Sequence, residues 1–187
     1  SKQDVKRLCD EALRFHFDTV TVNPTWVSYC AKRLADSGVA VAACIGFPLG
    51  ASTGHIKEAE AQEAIKNGAT ELDMVFNMGA LKSGAPGYVE REIAAVVKTA
   101  GKAPVKIILE TGYLSDEEKV TVCEVSVRAG ARFVKTATGF GLTGAKAEDV
   151  ALMRRAVGPG IGVKAAGGIR GYLDAIHMIE AGADHLG

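Results

Sequence analysis

The chain has 187 residues, enough for one sizeable core, so a single domain spanning residues 1–187 is expected. Its 22 basic residues balance 22 acidic ones, with no basic block or aromatic-basic interleaving, which argues against nucleic acid and anionic membranes as partners. No apolar run approaches the roughly 20 residues of a membrane-spanning helix, and the opening Ser1-Lys-Gln-Asp-Val-Lys-Arg7 is too polar for a signal peptide, so a cytoplasmic protein is expected.

The first residues carry a helical pattern, and short apolar runs then alternate with longer amphipathic stretches. The runs fall near Thr19 to Val22, Val39 to Phe47, Glu71 to Phe76, Val105 to Glu110, Arg132 to Thr136 and Gly160 to Ala166, and another begins at His185. Their spacing of about 20 to 35 residues is what a strand, a helix and two loops occupy, so repeated βα units and a parallel sheet are predicted. A weak internal repeat agrees: Asn67-Gly-Ala, Ala129-Gly-Ala and Ala181-Gly-Ala each end a helical pattern and enter an apolar run, as a glycine-terminated helix does before a strand. Ser115-Asp-Glu-Glu118 reads as a helix start with a serine cap and a glutamate three residues on, and Gly144 to Val150 opens another helix.

Doubly wound sheets and (β/α)8 barrels both produce this alternation. The barrel is favoured because polar residues cluster where many strands end, and because no early strand is followed by a Gly-x-Gly-x-x-Gly fingerprint. Six complete runs and a seventh begun at His185 are too few for eight strands, so the expectation is a (β/α)8 barrel lacking a first strand and the end of the last. Cys9, Cys30, Cys44 and Cys123 form no Cys-x-x-Cys pair and have no ligand spacing with the four histidines, which predicts reduced thiols and no structural zinc.

The candidate chemistry lies at the ends of two successive runs, in Arg132-Phe-Val-Lys135-Thr-Ala-Thr-Gly-Phe140 and Val163-Lys164-Ala-Ala-Gly-Gly-Ile-Arg170. An isolated lysine amine, with a pKa of about 10.4, is protonated at neutral pH and cannot attack a carbonyl. A neighbouring cation in a partly dry pocket disfavours the ammonium, so Lys135 and Lys164 suggest an amine nucleophile and a partner that tunes it. Lys106 stands at the start of its run and reads as structural or solvent-facing.

Asp73 lies inside Leu-Asp-Met-Val-Phe, where a carboxylate costs stability unless paired, and strand alternation puts it on one face with Glu71, Val75 and Asn77. That face is expected to point inward, with Leu72, Met74 and Phe76 against helices. Glu110 at the same rim either orients a lysine or faces water, and it joins the candidate substrate-binding residues. Thr138-Gly139 and Gly167-Gly168-Ile-Arg170 suit an anion, because glycine lets backbone N–H groups converge on a phosphate and a following helix start adds its dipole.

Several motifs in order make the chain resemble the 2-deoxyribose-5-phosphate aldolase family over nearly its whole length. They are Val22-Asn-Pro24, Ile45-Gly-Phe-Pro-Leu-Gly50, Glu71-Leu-Asp-Met-Val75, Glu110-Thr-Gly-Tyr-Leu114, Phe133 to Phe140 and Val163 to Arg170. The resemblance implies a class I aldolase that cleaves 2-deoxy-D-ribose 5-phosphate to acetaldehyde and D-glyceraldehyde 3-phosphate without metal or other cofactor. It matches Lys135 to the Schiff-base lysine, Lys164 to the proton-relay lysine and Asp73 to the acid/base carboxylate. Phosphorylated sugars and aldehydes are the implied partners, and a homodimer is left open. The family's first strand with its Asp-His-Thr, and the Gly-Thr-Ser-Ser-Gly expected after Leu186, are missing, and Thr21 stands where many members carry cysteine. Other Schiff-base sugar-phosphate aldolases and a silent sugar-phosphate-binding fragment are the rival readings.

Overall fold

A computed structural model describes residues 1–187. Helix α1 (Lys2–Phe15) leads into β1 (Thr19–Val22), followed by α2 (Val27–Arg33), β2 (Ala40–Ile45), α3 (Gly54–Lys66) and β3 (Glu71–Val75). Then come α4 (Met78–Lys82), α5 (Pro86–Ala100), β4 (Val105–Ile108), α6 (Asp116–Arg128) and β5 (Phe133–Lys135). The chain continues through α7 (Ala147–Val157), β6 (Gly162–Ala165), α8 (Tyr172–Glu180) and β7 (His185–Leu186).

All seven strands are parallel and pair in chain order, β1 to β7, in one sheet. The sheet is curled, since side chains on β1, β3, β5 and β6 touch one another across its inner face. No ladder closes β7 onto β1, so the architecture is an open part of a (β/α)8 barrel with helices outside, as the sequence predicts.

Local chemistry explains why helices start and stop where they do. Ser115 caps α6 in a reciprocal box, its Oγ accepting from Glu118 N at 3.2 Å while Glu118 Oε2 accepts from Ser115 N at 2.9 Å. The repeated Gly-Ala turns behave as read: Gly68, Gly130 and Gly182 have φ of 100°, 90° and 108°, a left-handed region that glycine enters without a Cβ penalty.

Period-two alternation divides every strand between two environments. Outward residues Val41, Ala43, Ile45, Leu72, Met74, Ile107, Val134 and Val163 join the helices in one hydrophobic core of 37 buried residues. Phe76, just past β3, belongs to it too. Ala42, Cys44, Val75 and Ile108 are buried but outside that core, on the same faces as Asp73, Lys106, Lys135 and Lys164. The inner face is therefore small and ionic near its centre, and the outer face carries the bulk of the apolar burial. No helix is long and apolar enough to cross a membrane.

Candidate active site

Register sets the charged inner residues in two adjacent rows, Asp73 with Lys106 in one and Lys135 with Lys164 in the next toward the strand ends. Asp73 pairs with Cys44 on one side and Lys106 on the other, and Lys135 pairs with Lys164. Asp73 is 0% exposed, and its Oδ2 accepts from Lys135 Nζ at 2.8 Å and from Lys164 Nζ at 3.1 Å. Thr21 Oγ1, from β1, accepts from Lys164 Nζ at 3.4 Å. These contacts span β1, β3, β5 and β6 and exist only because the sheet curls.

Burial alone would raise the Asp73 pKa, but Lys135, Lys164 and Lys106 outweigh it and hold the carboxyl down to about 2. Lys164 is pushed below the ordinary lysine value, chiefly by burial, with Lys135 and Lys106 adding to the effect and Asp73 opposing it. Cys44, in the same wall, is pushed up to about 11, mainly by burial, and is an uncharged thiol near neutrality.

Lys106 needs correction on one point. Its solvent-facing reading fails: the side chain is 0% exposed, bonds to Glu71 Oε2, and stands 3.8 Å from Asp73 Oδ1. Period two places Lys106 on the face of Ile108, but both faces of this strand read apolar in sequence, so only pairing with Asp73 and Phe133 reveals which way it points.

Above Asp73 a pocket of about 630 Å³ opens at the carboxyl ends of the strands, lined by Lys135 and Lys164 with Thr21, Cys44, Thr138, Gly167, Gly168 and Arg170. Phe47 and Phe140 wall it, edge to face, with ring centroids 5.7 Å apart and an 88° interplanar angle. Neither aromatic stood out in the sequence, where loop phenylalanines carry no periodic signal. Behind the rim, a buried pair ties α3 and α5 to the loop after β3: Glu92 accepts from Lys57 Nζ at 2.9 Å and from the Asn77 backbone N–H at 2.6 Å.

The substrate-binding candidates separate. Glu110 neither orients a lysine nor faces water: it is buried, and it accepts from the Thr138 hydroxyl and from Thr138 N at 3.2 Å. The backbone at Glu110 has φ of 55°, which ends the strand and turns the carboxylate toward that loop. Thr138 Oγ1 in turn accepts from Phe140 N at 3.0 Å, so both residues hold the loop instead of offering free donors.

Gly167 is also committed, its N–H donating to Gly187 O at 3.1 Å and its carbonyl accepting from Ala145 N at 2.8 Å. The N–H groups of Arg170 and Gly171, at the start of α8, both donate to Asp174 Oδ2 at 3.1 and 3.0 Å, which occupies the helix terminus expected to serve an anion. Among the segments expected to serve an anion, the Gly139, Gly168 and Ile169 N–H groups make no hydrogen bond and the Arg170 guanidinium pairs with no carboxylate; of these Gly168, Ile169 and Arg170 line the pocket and Gly139 does not.

The four cysteines are free and buried, and no group of three or more His, Cys, Asp or Glu side chains is placed to hold a metal ion.

A parallel barrel whose strand ends deliver two amines to one buried carboxylate has the form of a carbonyl-handling lyase. Comparison with known proteins gives the family: the model for DeoC/LacD family aldolases matches residues 1–184, and the chain belongs to that family. It is similar to the deoxyribose-phosphate aldolase of Bacillus mycoides (strain KBAB4), 55% identical over 188 residues covering 100% of this chain and 84% of the relative. The Bacillus cytotoxicus deoxyribose-phosphate aldolase is likewise 55% identical, over 187 residues, with the same shares covered. Among solved structures, the deoxyribose phosphate aldolase from Aeropyrum pernix superposes with a TM-score of 0.93 at 37% identity, covering 100% of this chain and 80% of that one. The chain is thus an enzyme of the aldolase class.

Proposed function

We propose that the chain cleaves 2-deoxy-D-ribose 5-phosphate to acetaldehyde and D-glyceraldehyde 3-phosphate through an imine on Lys135, and runs the reverse addition. The observation that carries this is the shared contact of Lys135 and Lys164 on Asp73 Oδ2 at the floor of the pocket. Counting Lys106 and Glu71, the cluster sets three amines against two carboxylates, and loss of one proton balances it. Lys164, whose ammonium burial disfavours, is the natural group to lose that proton. Because both nitrogens touch the same carboxylate oxygen, the remaining proton can pass between them and leave Lys135 as the free amine.

The attacking amine adds to the C1 aldehyde of the open-chain sugar, and the carbinolamine hydroxyl takes the proton of the Lys164 ammonium and leaves as water, giving an iminium that acts as an electron sink and a neutral Lys164. Removal of the C3 hydroxyl proton, by Lys164 as neutral amine or by water held on it, lets the C2–C3 bond break. Its electrons flow into the iminium, giving an enamine and releasing D-glyceraldehyde 3-phosphate. Protonation of the enamine at C2 by the Lys164 ammonium, then addition of water, frees acetaldehyde and restores the amine. Asp73 stays ionised throughout and balances the cationic intermediate. The Gly168 and Ile169 N–H groups and Arg170 suit the phosphate, whose binding orients the reacting carbons.

The test is product formation from 2-deoxy-D-ribose 5-phosphate compared with fructose 1,6-bisphosphate. Acetaldehyde and D-glyceraldehyde 3-phosphate from the first, with no turnover of the second, are expected. Preference for the bisphosphate assigns another sugar-phosphate aldolase, and binding without turnover of either makes the chain a silent binder.

A further inference from the structure

We infer that the Lys106–Glu71 pair, one layer beneath the reaction pocket, is a positioning device that sets the charge balance between Asp73 and the two lysines sharing it; this rests on the reading of the site given above. Lys106 lines no part of the pocket, so it touches no substrate. Its ammonium is fully buried, yet it stands 3.8 Å from Asp73 Oδ1, the one Asp73 oxygen that has no hydrogen-bond partner.

The pair is held from several strands. Glu71 Oε2 accepts from Lys106 Nζ and from Thr19 Oγ1 at 3.1 Å, which ties β3 to β4 and β1. Lys106 Nζ also lies 5.2 Å from the centroid of the Phe133 ring, a cation–π contact from β5. Gly162 pairs with Phe133, and a Cβ there would overlap the ring, so the glycine leaves that ring its place. The ring meets His185 of β7 at 4.7 Å.

A buried ion pair is weak as a stabilising device, because apolar side chains of similar volume often fill such a site as well or better. An ammonium this close to a catalytic carboxylate nevertheless acts on its charge, and it repels the two amines on the other oxygen. Glu71 opposes both effects. Burial tends to raise the Asp73 pKa, and Lys106 joins Lys135 and Lys164 in lowering it. For Lys164, burial lowers the pKa and Lys106 adds to that, against the pull of Asp73. The other titratable groups around the cluster are Cys44 on β2, a neutral thiol near neutrality, and His185 on β7.

Removing either member should therefore shift the pH dependence in opposite directions. Lys106→Met takes away a positive charge, so the amines keep their protons longer and the rising limb of kcat against pH moves up by about one unit. Glu71→Gln takes away a negative charge and moves the limb down, while Lys106→Arg, which restores the charge, returns it toward the wild-type position. A merely structural pair would lower thermal stability in the variants and leave the limb where it was. Limbs that superimpose, or that move the same way in Lys106→Met and Glu71→Gln, overturn the inference. If Lys106→Met does not fold, Glu71→Gln decides alone, since glutamine keeps an acceptor for Lys106 and Thr19. Borohydride trapping of acetaldehyde on the wild type separates the two levels: no adduct on Lys135 overturns the reading of the site, whereas an adduct with unmoved limbs overturns only this inference.

Discussion

Asp73→Asn is the perturbation whose size follows most directly from the structure. The carboxylate accepts from the nitrogens of Lys135 and Lys164, at 2.8 and 3.1 Å, which share one ammonium proton charge between them, and stands 3.8 Å from Lys106 Nζ, with no exposure to water. At an effective dielectric constant of about 20, an ammonium at either of the two short contacts is a gross attraction of about 5 to 6 kcal/mol. Desolvation offsets much of this, and removing one partner of a buried pair costs about 3 to 5 kcal/mol net, because the remaining charge is left unpaired. Urea unfolding near neutral pH should show that loss with an unchanged m-value.

Its pH dependence has a definite sign. In the variant Lys164 loses the carboxylate that opposes burial, so its folded-state pKa drops further below the unfolded value of about 10.4. Between those two values the unfolded chain binds more protons, so the variant gains stability as pH rises and its deficit narrows toward about pH 10. The wild type behaves the other way in acid. Its Asp73, held down to about 2 from an ordinary 3.8, contributes about 2 kcal/mol that is present above 3.8 and lost as pH falls through about 2. A deficit under about 1 kcal/mol, or one that does not change with pH, would refute the idea that this carboxylate balances the lysines.

Lys164→Leu should keep the fold and lower kcat by about 10²- to 10⁴-fold. The surviving activity should rise toward alkaline pH, and an unchanged pH–rate profile would show that Lys164 does not exchange protons with the site. Arg170→Met should raise KM for 2-deoxy-D-ribose 5-phosphate by about tenfold, the loss of one charge-assisted contact, and leave KM for unphosphorylated 2-deoxyribose unmoved. Equal effects on both substrates would place the phosphate elsewhere. Lys57→Met strands the buried Glu92 carboxylate behind the rim and should lower unfolding free energy by about 3 to 5 kcal/mol, read by urea titration; a neutral result would mean that the pair does not hold α3, α5 and the Asn77 loop together.

The architecture was readable because its signals are local. Ser115 and Glu118 sit at fixed offsets, the Gly-Ala turns recur, and each run between them has strand length; the strand cores fall inside the predicted runs. The same locality exposed Lys135 and Lys164, charges at the ends of apolar strands beside glycine. What could not be read depends on distant partners. Lys106 sits in a strand apolar on both faces, and only Glu71 and Asp73 on the next strand decide its direction. Gly167 reads as a phosphate cradle until Gly187 and Ala145 take its N–H and carbonyl. Glu110 reads as a strand-end carboxylate until a left-handed backbone turns it into a clasp for Thr138.

Covalent trapping is the most direct test that Lys135 carries the chemistry. The protein is incubated with acetaldehyde, reduced with borohydride, and its peptides are analysed by mass spectrometry. An ethyl group on Lys135, absent without acetaldehyde, is the predicted result. Modification of Lys164 or Lys106 with Lys135 untouched would contradict the assignment.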